Sequence, residues 1–556
     1  MMERRFFFMS WIHGYQRHWL KGDVVGGVTA AAVVLPKALA YATVAGLPIQ
    51  VGLYTSFIPM FVYALFGTSR PLSVSTTTTL AILTGTALAQ VAPTGDPVVL
   101  AKATAMLCLL TGVILAAAAA LRLGFVANFI SAPVLTGFKA GVAVVIVVDQ
   151  LPKLLGLHIS KSGFLHDLGA IVTALPEASL ATAAVGLLSI ALLVALEHAV
   201  PKWPAPLIVV ALGIIAVPLL HLAVHGVSVV GHVPTGLPSL VVPDFSLARS
   251  LWPAAAGIAL MSFTESIAAG RAFVLPGEHY PLPNGELWAS GLANAIGAPF
   301  GCMPSGGGTS QTAVNRMVGA QSQLAGLITS LVALAAMLLL APFIGKMPNT
   351  TLAAIVIVYS IGLFKPADFK AIHAIRHTEF WWAVAALLGV VLLGTLQGIL
   401  VAIVISLMSL SYQSLNPSLY VLRRKPGTLQ FRPVSNKHQN DEDIPGLLIL
   451  RPEGRLFFGN AEHFGQRIQP MLAESRPRVL ILDMNAIFDI EYTALMAMIE
   501  AEEKQREAGT ELWLAGISPS VLATLRRSRL YDALGKQRMF YSVADAVTAW
   551  MERKHG

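Results

Sequence analysis

The chain has 556 residues, of which 55% are hydrophobic and only 12% are charged, and its mean hydropathy is +0.68. Because a soluble protein carries about 25% charged residues, this composition excludes an ordinary soluble enzyme and indicates a membrane protein with several spans. The formal net charge of +8 reflects basic loops and tails, so we attribute it to membrane topology and expect no nucleic-acid partner.

The first 22 residues are basic and aromatic, with Arg4, Arg5, Trp11 and Trp19 among them. Such a stretch is typical of a segment that lies on the membrane surface, and we predict a cytoplasmic or interfacial segment over residues 1–22.

Residues 23–415 are predicted to form the transmembrane part, because they contain repeated apolar stretches near the roughly 20 residues that cross a bilayer. We expect fourteen helices, seven in each half of this region. They are predicted near 24–45, 49–67, 76–91, 98–121, 125–149, 178–199, 205–221, 251–271, 286–300, 308–320, 322–343, 348–364, 378–394 and 395–415.

The third and tenth of these helices are broken by polar and small residues. Four threonines at 76–79 follow an extended piece at 70–75, and the sequence GGGTS at 306–310 follows an irregular piece at 301–305. Broken spans are tolerated only where they are buried or line a cavity, and a matching pair of them is typical of a transporter's binding site. With seven spans per half, the second half is inverted. The two half-helix N-termini then face each other and attract an anion.

Charge in the loops sets the predicted orientation. The loops placed inside contain Arg70, Arg122 and Arg271, whereas the outer loops, with Lys153 and Arg249, contain fewer basic residues. By the positive-inside rule, we expect a multi-pass protein of the cell inner membrane with both termini in the cytoplasm.

The composition changes near residue 440. We predict a linker at 416–443 and a small cytoplasmic α/β domain at 444–556, with buried strands at 447–450, 479–483 and 511–514 and a helix at 493–507. Ser518 is predicted to cap a further helix that runs to Leu525.

Several motifs in this order carry a family resemblance: LPKALAYATVAGLP at 35–48, GTSR at 67–70, SFTES at 262–266, TAVN at 312–315, and DM and TAL at 483–484 and 493–495. The chain resembles the sulfate permease family, which includes the animal solute carrier 26 anion transporters and has a C-terminal STAS domain. The resemblance implies a fourteen-span inverted-repeat fold, a core domain that moves against a gate domain, a homodimer and anion transport, with sulfate as the default substrate.

The chain departs from the family pattern at three places. Lys37 stands where the family usually has glutamine, Gln311 stands where it usually has a basic residue, and the threonine run replaces Gly-Pro. The first two departures together indicate a relocated positive charge. A lysine within an apolar span is costly and is expected to be functional, so Lys37 is predicted to be the counter-charge of the bound anion. A purely structural pairing with Glu265 is the alternative.

We expect nine residues to bind the substrate, from the first span and the two broken helices: Lys37, Tyr41, Thr76, Thr77, Thr78, Gly307, Gly308, Thr309 and Ser310.

Glu265 is the only acidic residue between Asp244 and Glu278 and lies in the middle of a span. It is therefore a candidate proton carrier, because a proton bound together with an anion offsets charge and lets an inward proton gradient drive uptake. A structural ion pair is the alternative. No nucleotide loop, catalytic triad or metal-ligand spacing is found, so we expect no enzyme activity, cofactor or metal.

Other functions stay open from the sequence. Bicarbonate, chloride or a dicarboxylate is a possible substrate, in a sodium-coupled carrier or an exchanger. From a different class, the chain could be a membrane-tethered regulator that acts through its STAS domain. Glu491 is followed by Tyr492, not by the serine that is phosphorylated in regulatory STAS domains, so we expect a scaffolding or dimerising role.

Overall fold

Helices dominate the first part of the chain. The computed structural model describes residues 8–12, 14–93, 95–128, 131–159, 163–200 and 203–555; Arg4 and Arg5 of the predicted interfacial segment lie outside these residues. The helices are α1 (Trp19–Val44), α2 (Gln50–Phe66), α3 (Thr78–Val91), α4 (Pro97–Ala120), α5 (Ala132–Leu155), α6 (Phe164–Ala174), α7 (Leu180–Ala199), α8 (Ala205–Leu219), α9 (Ala248–Ala272), α10 (Pro283–Gly297), α11 (Thr309–Met317), α12 (Leu324–Leu339), α13 (Ala341–Ile344), α14 (Asn349–Ile361), α15 (Pro366–Ile375), α16 (His377–Leu393) and α17 (Thr395–Leu415).

A helix lies at each of the fourteen predicted positions, and the described residues of this part add three short helices, α6, α13 and α15. The largest shift concerns α5, which begins at Ala132 instead of 125. The Ser131 hydroxyl accepts a hydrogen bond from the N–H of Val134, proline follows in the first turn, and Gly156 ends the helix in a left-handed conformation. These are ordinary start and stop signals of a helix, and they set the ends of α5, whereas the prediction followed the extent of the apolar stretch.

Six stretches in the described part of the chain are long and apolar enough to cross a membrane by length and composition: α1, α4, α5, α7, Phe245–Ala272 and Asn349–Ile375. Shorter apolar helices, such as α2, α3 and α12, lie between them. Length and hydropathy therefore favour a protein that crosses the membrane several times.

The helices of the first part pack in two groups. One group contains α1, α2, α3, α4, α9, α10, α11 and α12, and the other contains α5, α7, α8, α14 and α16. Small residues allow close packing within each group: a Cβ on Gly137 of α5 would lie only 1.9 Å from the carbonyl oxygen of Ala383 in α16. The two groups meet where α1 contacts α8 and α14 and where α3 contacts α5.

A two-stranded antiparallel ribbon precedes two of the helices. Strand β1 (Val74–Ser75) pairs with β2 (Gly306–Gly307), with Val74 opposite Gly307 and Ser75 opposite Gly306. Helix α3 follows β1 and helix α11 follows β2, so the ribbon joins the two predicted half-helices.

The chain divides into two compact units, Met1–Ser406 and Leu407–Gly556. The second unit contains strands β3 (Leu419–Arg424), β4 (Phe431–Pro433), β5 (Leu447–Pro452), β6 (Gly454–Leu456), β7 (Val479–Asp483), β8 (Ile487–Ile490), β9 (Glu511–Ala515) and β10 (Met539–Phe540), and helices α18 (Ala461–Ser475), α19 (Tyr492–Glu507), α20 (Pro519–Leu525), α21 (Arg529–Leu534) and α22 (Val543–His555).

Six strands form one sheet in the order β10-β9-β7-β5-β3-β4, and β6 pairs with β8 separately. The three predicted buried strands and the helix at 493–507 are confirmed, and Ser518 caps α20 by accepting a hydrogen bond from the N–H of Val521.

The predicted linker at 416–443 needs correction, because it contains β3 and β4 of this sheet. Strand β4 lies at the sheet edge and has only three residues, and β3, between β5 and β4, has four consecutive apolar residues followed by two arginines, so neither shows the alternation that predicts a strand.

Candidate functional site

The ribbon of β1 and β2 holds the starts of α3 and α11 side by side. The N–H of Gly308 donates to the carbonyl of Ser73 over 3.0 Å, and the N–H of Ser73 donates to Thr312 Oγ1 over 3.1 Å. Because the strands are antiparallel, the helices that follow them leave in opposite directions. The positive ends of two helix dipoles therefore lie close together at the ribbon.

The start of α3 is built around Thr77. Its hydroxyl accepts a hydrogen bond from the N–H of Leu80 over 3.3 Å and donates to Glu265 Oε2 over 2.7 Å. The N–H groups of Thr78 and Thr79 precede the first hydrogen bond within the helix, so they point out of its start. A carboxylate thus lies beside one helix start.

The start of α11 is built around Lys37. This side chain is only 4% exposed, and its Nζ donates to Ser310 Oγ over 3.1 Å. The same ammonium lies 3.7 Å from the centroid of the Tyr359 ring. A buried cation thus lies beside the second helix start.

A cavity of about 240 Å³ opens at the start of α11. Thr309 and Ser310 are exposed although the residues before them, 301–308, are buried. The cavity therefore reaches the helix start. It is lined by Val33, Lys37, Glu197, Trp203, Pro204, Ala205, Pro206, Ser310, Val314 and Tyr359.

The structure brings the predicted residues together in two clusters. Lys37 and Ser310 form the first. The second joins Glu265 with Thr77, and Tyr41 interacts with Thr78 and with the charge of Glu265. Lys37 contacts Ser310 and Tyr359, and Glu265 contacts Thr77. Among the described residues, Lys37 and Glu265 therefore do not form the ion pair that was the alternative prediction.

Three predicted residues have packing roles. The Thr76 hydroxyl donates to the carbonyl of Pro304 over 2.7 Å, and the N–H of Gly307 donates to Ser266 Oγ over 2.8 Å. The N–H of Gly308 is likewise used within the ribbon. These groups therefore hold the helix starts in place, and the backbone at Gly307 and Gly308 closely approaches neighbouring protein.

Sequence reasoning missed Tyr359, Glu197 and the role of Gln311. The Gln311 amide donates to Ser73 and to Ser75 over 3.0 Å each, which fastens the ribbon. Its departure from the family pattern was the only available signal. An acidic residue near the end of an apolar helix could have pointed to Glu197, whereas nothing in the sequence places Tyr359 over Lys37.

Residues 20–386 match the family model described as the sulfate permease family, and residues 438–546 match the STAS domain. The first match covers more than half of the chain. The chain belongs to the sulfate permease family.

Named relatives agree with this. The chain is 32% identical over 544 residues to a "probable sulfate transporter" of Mycobacterium tuberculosis, with 97% of each chain covered. It is 29% identical to "probable sulfate transporter 3.4" of Arabidopsis thaliana, covering 97% of this chain and 86% of the relative. This sulfate permease family member is an anion transporter and a multi-pass membrane protein, and because its relatives are transporters it is not an enzyme.

Solved structures share the fold. The murine solute carrier 26 family member A9 anion transporter, in its inward-facing state, has a TM-score of 0.89 at 23% identity, covering 98% of this chain and 93% of that one. The transmembrane domain of the cyanobacterial bicarbonate transporter BicA has a TM-score of 0.62 at 23% identity and covers 70% of this chain. The predicted class, a helical membrane transporter with a C-terminal α/β STAS domain, is confirmed at this level.

Proposed function

We propose that this sulfate permease family member is a secondary active transporter that takes up sulfate together with protons. The anion binds between the starts of α3 and α11. Lys37 is its counter-charge, Thr78, Thr309 and Ser310 offer hydroxyl and backbone N–H groups, and Thr77, whose hydroxyl donates to Glu265, offers its backbone N–H. Glu265 carries the coupling proton.

One observation supports this proposal above all others. A buried ammonium contacts the start of α11, with Lys37 Nζ 3.1 Å from Ser310 Oγ, and a buried carboxylate contacts the start of α3, with Glu265 Oε2 2.7 Å from Thr77 Oγ1. An ionised Glu265 opposes an incoming anion, and a proton on it removes that opposition. Proton binding and anion binding then strengthen each other by the same factor.

The wider organisation is part of the same proposal. Residues 23–415 form fourteen spans as two inverted sets of seven, in a homodimer of the cell inner membrane with both termini cytoplasmic. The antiparallel ribbon and the basic inner loops support this arrangement. The STAS domain serves as a scaffold. Tyr492 is exposed at the position of the regulatory serine, and the neighbouring Glu491 pairs with Arg455.

The test is uptake of labelled sulfate into proteoliposomes, with and without an inward proton gradient. We expect gradient-driven accumulation by the wild type. Lys37→Ala should raise the KM for sulfate by roughly tenfold to a hundredfold, the range for a lost hydrogen bond to a charged group. Lys102→Ala is the matched control, because that lysine is exposed on α4.

Glu265→Gln should still bind sulfate but should no longer accumulate it against a gradient. Glu177→Gln, an exposed carboxylate in the same unit, should behave as the wild type. Wild-type sulfate affinity in Lys37→Ala, or full proton-driven accumulation in Glu265→Gln, contradicts the assigned roles. No sulfate uptake by intact protein refutes sulfate as substrate, and bicarbonate, chloride and succinate are then assayed in the same liposomes.

A further inference from the structure

The ammonium of Lys37 contacts Ser310 and Tyr359, and the side chain borders a cavity. A lysine ammonium has three N–H donors. One donates to Ser310 Oγ over 3.1 Å, and the face of the Tyr359 ring lies 3.7 Å from Nζ. Lys37 also lines the cavity. The ring and the serine therefore fix the direction of the group, so that its remaining donor faces the space that an anion would occupy.

Tyr359 is itself fixed by a carboxylate. Its hydroxyl donates to Glu197 Oε1 over 2.8 Å, and both residues line the same cavity as Lys37. Tyr359 lies on α14 and Glu197 near the end of α7, in the second helix group, whereas Lys37 and Ser310 lie on α1 and α11 of the first. The four side chains thus form a row across the boundary between the groups.

The chemistry of this row is specific. A cation is attracted to the electron-rich face of an aromatic ring, most strongly to tryptophan, and the attraction grows when the pair is shielded from water. A phenol that donates to an ionised carboxylate gains electron density, which strengthens the attraction of its ring for a cation. The charge of Glu197 therefore acts on Lys37 in two ways, by direct attraction and through the ring of Tyr359.

We propose that Tyr359 and Glu197 are positioning residues of the anion site: they hold the Lys37 ammonium at the start of α11 with one donor directed at the anion. This inference rests on the proposed function, in which Lys37 is the counter-charge. It predicts an effect of the Glu197 charge on anion binding that is opposite to simple repulsion. A carboxylate close to an anion site weakens binding by direct repulsion, so its removal would tighten binding. If Glu197 instead acts through Tyr359, removal of its charge weakens anion binding.

The experiment measures equilibrium binding of labelled sulfate by the full-length protein in detergent, together with KM and Vmax in proteoliposomes. Tyr359→Leu removes the ring and should weaken binding about tenfold, as expected for a shielded cation–π contact. Tyr359→Phe should weaken it less, and Tyr359→Trp should bind at least as tightly as the wild type. The change should lie in KM and in the dissociation constant, with Vmax nearly unchanged.

Two coupled variants separate this role from simple packing. Glu197→Gln should weaken sulfate binding about threefold in the wild type and clearly less in the Tyr359→Phe background, because the connecting hydroxyl is missing and only the direct attraction between Glu197 and Lys37 is left. In the Lys37→Met background, the substitutions at Tyr359 should no longer change the dissociation constant for sulfate. Tyr280→Phe, in an exposed loop position, and Glu177→Gln, on an exposed turn, are the matched controls.

The possible failures are distinguishable. If Lys37→Met binds sulfate like the wild type, the proposed function fails. Two results overturn only the present inference, given that Lys37→Met weakens binding. One is that the Tyr359 variants bind sulfate like the wild type when Lys37 is present, and the other is that Glu197→Gln tightens binding. Should Tyr359→Trp not fold, the comparison of Tyr359→Phe with Tyr359→Leu still decides. If the wild type does not bind sulfate, the series is run with bicarbonate, chloride and succinate, and no binding of any of them overturns both proposals.

Discussion

Gly307 lies at the point where β2 crosses between β1 and α9, and it tests whether the ribbon positions the site. A Cβ built at this residue would lie 2.7 Å from Ser266 Cα and 2.8 Å from Leu72 Cδ1. The leucine methyl can rotate away, but the Ser266 backbone belongs to the buried helix α9 and cannot. Gly307→Ala therefore forces the two elements apart.

The cost follows from two terms. Overpacking of a close-packed interior costs about 1–3 kcal/mol, and separation of the elements also weakens the 2.8 Å hydrogen bond from the Gly307 N–H to Ser266, worth about 1 kcal/mol. Gly307→Ala should thus lose about 2–4 kcal/mol of stability. Because a misplacement of about 1 Å is costly at a binding site, it should also weaken sulfate binding at least roughly tenfold.

The assay is thermal unfolding of the full-length protein in detergent, alongside sulfate binding. Gly169→Ala is the control: this glycine lies on α6 with no atom within 4 Å of the added methyl group, so the change should leave stability unchanged or raise it by up to about 1 kcal/mol. If Gly307→Ala melts at the wild-type temperature and binds sulfate normally, the ribbon does not position the site.

Three further substitutions probe the framework around the site. Glu286→Gln should lower stability by about 2–5 kcal/mol, measured by thermal unfolding, because the buried carboxylate accepts hydrogen bonds from the Tyr63 hydroxyl and from backbone N–H groups; a wild-type melting temperature would show that the amide serves equally well. Ser518→Ala should cost about 1 kcal/mol in chemical unfolding through loss of the α20 cap, and Ser518→Asp should restore most of it. The hydrogen bond from Arg553 lowers the pKa of Glu511, so the folded state gains stability above the ordinary carboxyl pKa and loses it as the pH falls. Arg553→Ala should therefore destabilise the protein at pH 7 and flatten the pH dependence of unfolding below about pH 5; an unchanged profile would refute this.

The apolar pattern predicted a helix at each of the fourteen positions in the first part of the chain, because a span must be apolar over nearly its whole length, but it did not predict α18 and α22 of the second unit. It was weakest at boundaries, where capping by Ser131 moved the start of α5 to Ala132. Period and burial also predicted the central strands of the STAS domain. Strands β3 and β4 were not predicted, since the edge strand β4 has only three residues and the apolar residues of β3 do not alternate with polar ones.

The candidate site divides in the same way. By itself, the sequence determined only the prediction of a site: two interrupted apolar stretches, a lysine and a glutamate within apolar stretches stand out because lipid penalises free backbone groups and charges. Only the tertiary structure decided which groups meet. It joined Lys37 to Ser310 and to Tyr359, and Glu265 to Thr77. These contacts link residues far apart in the chain, and their partners are fixed by how helices pack in three dimensions, which no local pattern records.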